Sequence, residues 1–157
     1  MKLRIEKGIY GGAGLARDEG KAVFVPYTLP GELVEAHISD DRAGYANAEL
    51  DNVLEASPER MAAPCPHFGE CGGCHYQHAR YATQVEMKVE ILRESLETEG
   101  KALTLYRELL RCAEGRSVVL EEYARQMVYA EELHAGEVDK MLRTSGEVAS
   151  FQPSPRS

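Results

Sequence analysis

Polar and apolar side chains alternate across residues 2–7, Lys-Leu-Arg-Ile-Glu-Lys, with the period of a half-buried strand. Val23-Phe24-Val25 is a short apolar run ended by Pro26, and residues 33–38 form a further run of apolar and β-branched side chains. Turns separate these runs at Leu29-Pro30-Gly31-Glu32 and at Asp40-Asp41-Arg42-Ala43-Gly44. Residues 45–54 then read as one long strand or a strand pair. Short strands with turns every eight to twelve residues or so predict a small antiparallel β-barrel, OB-like and five-stranded, over residues 1–57. Gly11-Gly12-Ala13-Gly14 falls inside it. The spacing is not G-x-G-x-x-G and no helix follows, so these are read as hairpin or bulge glycines, not as a phosphate cradle.

Beyond residue 80 the period changes to that of helices. Tyr81, Val85, Val89 and Leu92 or Leu96 mark one apolar stripe, which predicts a helix over 81–99 interrupted at Gly100. Leu103, Tyr106, Leu109, Leu110 and Ala113 start a second pattern that stops at Gly115, a C-cap candidate. Ser117 is a good N-cap for a last helix running to about Arg143, with Glu121 and Glu122 in its first turns. Residues 101–143 are therefore expected to form a helical hairpin. The stretch 144–157, with Pro153, Pro155 and several serines, is expected to be disordered. The fold class is α+β.

Between the two patterns, residues 58–80 form a linker and a cysteine loop. Cys65-Pro-His-Phe-Gly-Glu-Cys71-Gly-Gly-Cys74 has the spacing C-x5-C-x2-C and lacks any apolar period. Thiolates at this density point to a metal centre. Zinc with His67, His75 or His78 completing a Cys3His set is one solution. A [4Fe–4S] cluster with a distant fourth ligand is the other, and Cys112 is the remaining cysteine.

Composition changes this picture in two ways. No apolar run approaches the roughly 20 residues of a membrane helix, and the N-terminus has no apolar signal core. A reducing, cytoplasmic setting without membrane partners follows, and it favours metal ligation over disulfides. Net charge is −8, with 7 Lys/Arg against 11 Asp/Glu in residues 1–60, 3 against 6 in 61–100 and 8 against 9 in 101–157. No segment is basic, which argues against strong nonspecific nucleic-acid binding.

Several stretches together resemble the N-terminal part of the RNA uracil-5-methyltransferases acting on 23S ribosomal RNA. They are Ile5-Glu6-Lys7, Tyr10-Gly-Gly-Ala-Gly-Leu-Ala-Arg17, Gly20-Lys-Ala-Val-Phe-Val-Pro26, Leu29-Pro-Gly-Glu32, Ser57-Pro-Glu-Arg60, the cysteine loop and Tyr76-Gln-His78 through Gln84 and Lys88. The resemblance covers residues 1–97. It implies an RNA-binding TRAM domain followed by a loop that ligates a [4Fe–4S] cluster through Cys65, Cys71 and Cys74. Lys7, Tyr10, Arg17 and Lys21 are the RNA-binding candidates. The family's fourth cysteine lies in a central domain; Cys112 lacks that context, so the expected cluster is incomplete. The S-adenosylmethionine-dependent catalytic domain has no counterpart after residue 97, so no methyl transfer is expected of this chain alone.

The last helix carries a separate pattern. Leu120, Ala124, Met127, Glu131, His134, Val138 and Met141 follow each other at spacings of four and three, a regular seam. Glu131 and His134 stand where apolar residues are expected, and such a pair on an inner helix face can bind iron. They can equally pair with each other. Residues 102–143 resemble the second half of a ferritin-like, bacterioferritin-type domain, which implies iron at the hairpin if two chains dimerise into a bundle. Two functions are therefore weighed: a TRAM and iron–sulfur module without its catalytic domain, and an iron-binding dimer. The two resemblances meet near residues 97–101, where each is incomplete, as in a fusion or truncation.

Overall fold

The computed structural model describes residues 1–142. Two compact units divide the chain, residues 1–91 and the remainder from Leu92. The first holds six strands: β1 (Lys2–Arg4), β2 (Lys7–Gly8), β3 (Ala13–Asp18), β4 (Lys21–Pro26), β5 (Leu33–Asp41) and β6 (Tyr45–Glu55). They form one sheet in the order β1-β5-β6-β4-β3-β2.

The expected antiparallel, five-stranded barrel needs two corrections. The sheet has six strands, and it is mixed because β4 and β6 pair in parallel. The parallel pair follows from topology: β5 and β6 form an antiparallel hairpin, and β6 on its return runs beside β4 in the same direction. Alternation within a strand says which side faces the core but not which strand lies alongside. The sixth strand arises because residues 2–8 change partner midway. Ile5 N–H donates to Glu32 C=O, whereas Glu6 N–H donates to Leu15 C=O. The segment therefore leaves β5 at one edge and joins β3 at the other, linking both edges of a curled, OB-like half-barrel.

Its core is Leu3, Ile5, Ala16, Val23, Val25, Val34, Ala36, Ala46 and Ala48, with Leu50 and Val53 packed against it. Alanines on the inner faces of β3, β5 and β6 leave room for the curl. The glycine cluster does form a hairpin turn between β2 and β3, with Gly11 and Gly12 both at positive φ. Strand β3 has low intrinsic strand propensity, and pairing on both sides imposes it.

Two helices follow, α1 (Tyr81–Ala113) and α2 (Val118–Leu142). The expected break at Gly100 does not occur: α1 is continuous for 33 residues. An exposed glycine costs a helix only about 1 kcal/mol, too little to stop one with good formers on both sides. In the second unit, Gly115 at positive φ ends α1, and the Ser117 hydroxyl accepts the Leu120 N–H at the start of α2. The seam of α2 matches the expected one in part. Ala124 and Val138 are buried and Met127 and Glu131 half-buried, but Leu120, His134 and Met141 are exposed. The inward register runs 124, 128, 131, 135, 138, one position from the expected one in places. The expected disordered stretch 144–157, with residue 143 of the hairpin, lies outside the described residues. No helix among the described residues is long and apolar enough to cross a membrane.

Candidate nucleic-acid interface and cysteine loop

The base of the cysteine loop is a short antiparallel clasp. Arg60 bridges Ala79, Met61 N–H donates to His78 C=O at 2.9 Å, and Arg80 N–H donates to Glu59 C=O at 3.1 Å. Arg60 then reaches into the barrel. Its Nε and one Nη each donate to the Glu32 carboxylate at 2.6 Å, and that Nη also donates to the Tyr27 carbonyl at 2.9 Å. Glu32 has no exposed surface and also accepts the Leu29 amide at 2.9 Å and the Ser57 amide at 3.1 Å. Burial alone would raise the Glu32 pKa. The Arg60 hydrogen bonds, the two amides and the Arg60 charge outweigh it and hold the carboxyl below its ordinary range.

Next to this pair lies His78, 3% exposed, whose ring nitrogens meet no partner in hydrogen-bonding geometry. Desolvation, then the Arg60 charge, push it below its ordinary value; the Thr28 backbone and Glu32 oppose this without reversing it. Phe68, from inside the loop, packs between His78 and Tyr27, with ring centroids 5.4 and 5.2 Å away. Tyr27 adopts φ +61°, a left-handed conformation uncommon for an aromatic residue. His75 packs on Gly12, where a Cβ would overlap it. Leu29, Ala79, Met87 and Tyr76 make a small apolar cluster beneath.

Of the three loop cysteines, Cys65 is half-buried and Cys71 and Cys74 are exposed; all are free thiols. Gln77 connects two of them, accepting the Cys65 amide at 3.2 Å and donating to the Cys74 sulfur at 3.1 Å. The donor set suits a soft metal centre. Among the described residues, however, no three His, Cys, Asp or Glu side chains are gathered as metal ligands. His75 and His78 are engaged in packing, and Cys112 is exposed on α1, in the other unit. Within that second unit, His134 Nδ1 lies 3.3 Å from a Glu99 carboxylate oxygen that also accepts the Ser95 hydroxyl. His134, one of the expected Glu131–His134 metal pair, thus has a carboxylate neighbour on α1.

The outer face of the sheet holds the other candidates. Lys7 lies opposite Leu15, which lies opposite Phe24, which lies opposite Asn47. Arg17, Ala22 and Tyr45 form the neighbouring row. Lys7 and Arg17 therefore share a face. Tyr10 stands at the tip of the β2–β3 turn, 90% exposed. Arg17 lies 3.7 Å from Glu6, both largely exposed, and Lys21 pairs with Asp41. Phe24 and Tyr45, with centroids 5.7 Å apart, are on the same face as Lys7 and Arg17 and were not foreseen as site residues. The alternation Val23-in, Phe24-out, Val25-in is the signal that turns the half-buried Phe24 away from the core.

Residues 2–50 match the TRAM domain family. A protein of Aquifex aeolicus, described as an uncharacterized RNA methyltransferase, is 50% identical over 101 residues, 64% of this chain and 24% of that relative. The 23S rRNA (uracil(1939)-C(5))-methyltransferase RlmD of Shewanella amazonensis is 44% identical over 92 residues, 59% of this chain and 21% of the relative. A relative from Halalkalibacterium halodurans, also described as an uncharacterized RNA methyltransferase, is 41% identical over 101 residues, 64% and 22% respectively. The chain spans less than a quarter of the length of these relatives. Its N-terminal part carries a TRAM domain and is homologous to the 23S rRNA uracil-5-methyltransferases.

Proposed function

We propose that this chain carries the RNA-binding TRAM portion of an RNA (uracil-5-)-methyltransferase and works in the cytoplasm. The observation that carries this is the half-barrel, matched by the TRAM family over residues 2–50, with Lys7 and Arg17 on one sheet face. With a net charge of −8 the chain cannot bind RNA by bulk attraction. Affinity must come from a few local contacts. Binding of single-stranded, uridine-containing RNA should therefore be weak and only modestly dependent on salt. A salt titration tests this, and no binding at low salt would refute it.

The cysteine loop belongs to the same proposal. Cys65, Cys71 and Cys74 are its thiolate donors for an iron–sulfur cluster, and the loop's anchoring through Arg60 and Phe68 supports a defined ligand loop. Iron and acid-labile sulfide in anaerobically prepared protein test it; iron without sulfide would contradict it.

A second reading concerns the hairpin. Val119, Leu120, Tyr123, Leu133 and Met141 are all at least 48% exposed on α2, an apolar surface unusual for an isolated helix. This favours self-association of two chains through the hairpin. Light scattering across a concentration series decides it, a constant monomer mass being the contrary result.

A further inference from the structure

We infer that Phe24 and Tyr45 form a stacking platform for the unpaired bases of a single-stranded RNA segment, with Arg17 and Lys7 engaging its phosphates. The inference rests on the RNA-binding reading above and names the site and the form of RNA.

The rings are adjacent across the parallel β4–β6 pair, 5.7 Å between centroids and tilted by 49°. The outward position of Phe24 follows from the burial of Val23 and Val25 on either side, and Tyr45 retains 41% exposure. Neither ring joins the barrel core. Their cross-strand neighbours are Leu15, which is itself buried, Ala22 and Asn47. Each row ends, towards β2 and β3, on a cation, Lys7 in one and Arg17 in the other.

The other half of the same face is acidic. His37 contacts Glu49 and Asp51 across β5 and β6. The face is thus polarised: carboxylates at one side, aromatic rings in the middle, cations at the other. A polyanion is favoured beside Lys7 and Arg17 and repelled near Glu49 and Asp51. The ion pair of Arg17 with Glu6 is long and exposed, so a phosphate can displace it at little cost. Aromatic rings beside cations are the means by which single strands are held without sequence readout. A duplex hides its base faces and cannot use the rings.

The test uses the full chain and a fluorescent single-stranded RNA of about a dozen nucleotides carrying 2-aminopurine. Wild-type protein should quench the 2-aminopurine on binding, since stacking is the contact. Tyr45→Leu and Phe24→Leu should each lower affinity roughly 5- to 100-fold with the salt slope unchanged, and Tyr45→Phe should retain wild-type affinity. Arg17→Gln should reduce the salt slope by about 0.7. Circular dichroism confirms that the variants fold. Wild-type binding with undiminished affinity in both leucine variants would overturn the platform and leave RNA binding by the domain standing. Absence of wild-type binding at low salt would overturn both.

Discussion

The buried carboxylate of Glu32, in the turn before β5, is held by the guanidinium of Arg60, at the base of the cysteine loop, through two hydrogen bonds of 2.6 Å. One ion pair thus joins the half-barrel to the loop that follows it. Removing only one partner leaves an uncompensated buried charge, which typically costs about 3–5 kcal/mol. Arg60→Met should therefore lower the urea midpoint severely. Glu32→Gln combined with Arg60→Met should recover much of the loss, because no charge then stays buried. An additive double variant would show that the two residues act independently.

Acid should loosen the same joint in two steps. His78 has a folded pKa below its ordinary value of 6.5, so the unfolded chain binds a proton first as pH falls. Stability is complete above 6.5 and declines as pH drops from there towards the lower folded pKa. Glu32 is also lowered, from 4.5, so its contribution is present above that value and is lost as pH falls through the folded pKa. Unfolding free energy measured from pH 8 to 3 should show both limbs. His78→Phe should remove the upper limb only; a curve unchanged by that substitution would contradict the assignment.

Gly12 sits at φ +91° with His75 of the cysteine loop against it. Gly12→Ala adds both backbone strain and a steric overlap, together about 1–3 kcal/mol. The displaced His75 should loosen the loop, so the half-buried Cys65 should react faster with a thiol reagent than in the wild type. Equal labelling rates in the two proteins would mean that this contact does not hold the loop.

Gly100 makes the opposite case. It is exposed within continuous α1 and a Cβ there meets nothing within 4 Å. Gly100→Ala should stabilise the helix by up to about 1 kcal/mol, seen as a higher melting temperature of the helical signal. A lower one would mean that the glycine serves a bend.

Much of this molecule is legible from side-chain pattern. The strands at residues 23–25 and 33–38 form as expected, and Gly11 and Gly12 make the turn their freedom suits. Other features needed long-range information. The parallel β4–β6 pair depends on which strands meet, and the split of residues 2–8 depends on Ile5 and Glu6 choosing different partners. Glu32 and Arg60 were visible only as motif residues, because nothing local shows that two charges 28 positions apart are buried together. The seam of α2 is legible only in part: Ala124, Met127, Glu131 and Val138 turn inward, but apolar residues lie on more than one face, so the exposed Leu120 and Met141 are mistaken for seam positions.

The central claim is that the sheet face bearing Lys7 and Arg17 binds RNA. The direct measurement is the equilibrium affinity of the purified chain for a single-stranded, uridine-containing RNA at low salt, compared with the Lys7→Gln, Arg17→Gln double variant. The account predicts saturable wild-type binding, a shallow salt slope of about −1.4 for two phosphate contacts, and strongly weakened binding by the variant. Equal affinity of the two proteins, or no wild-type binding, would contradict it.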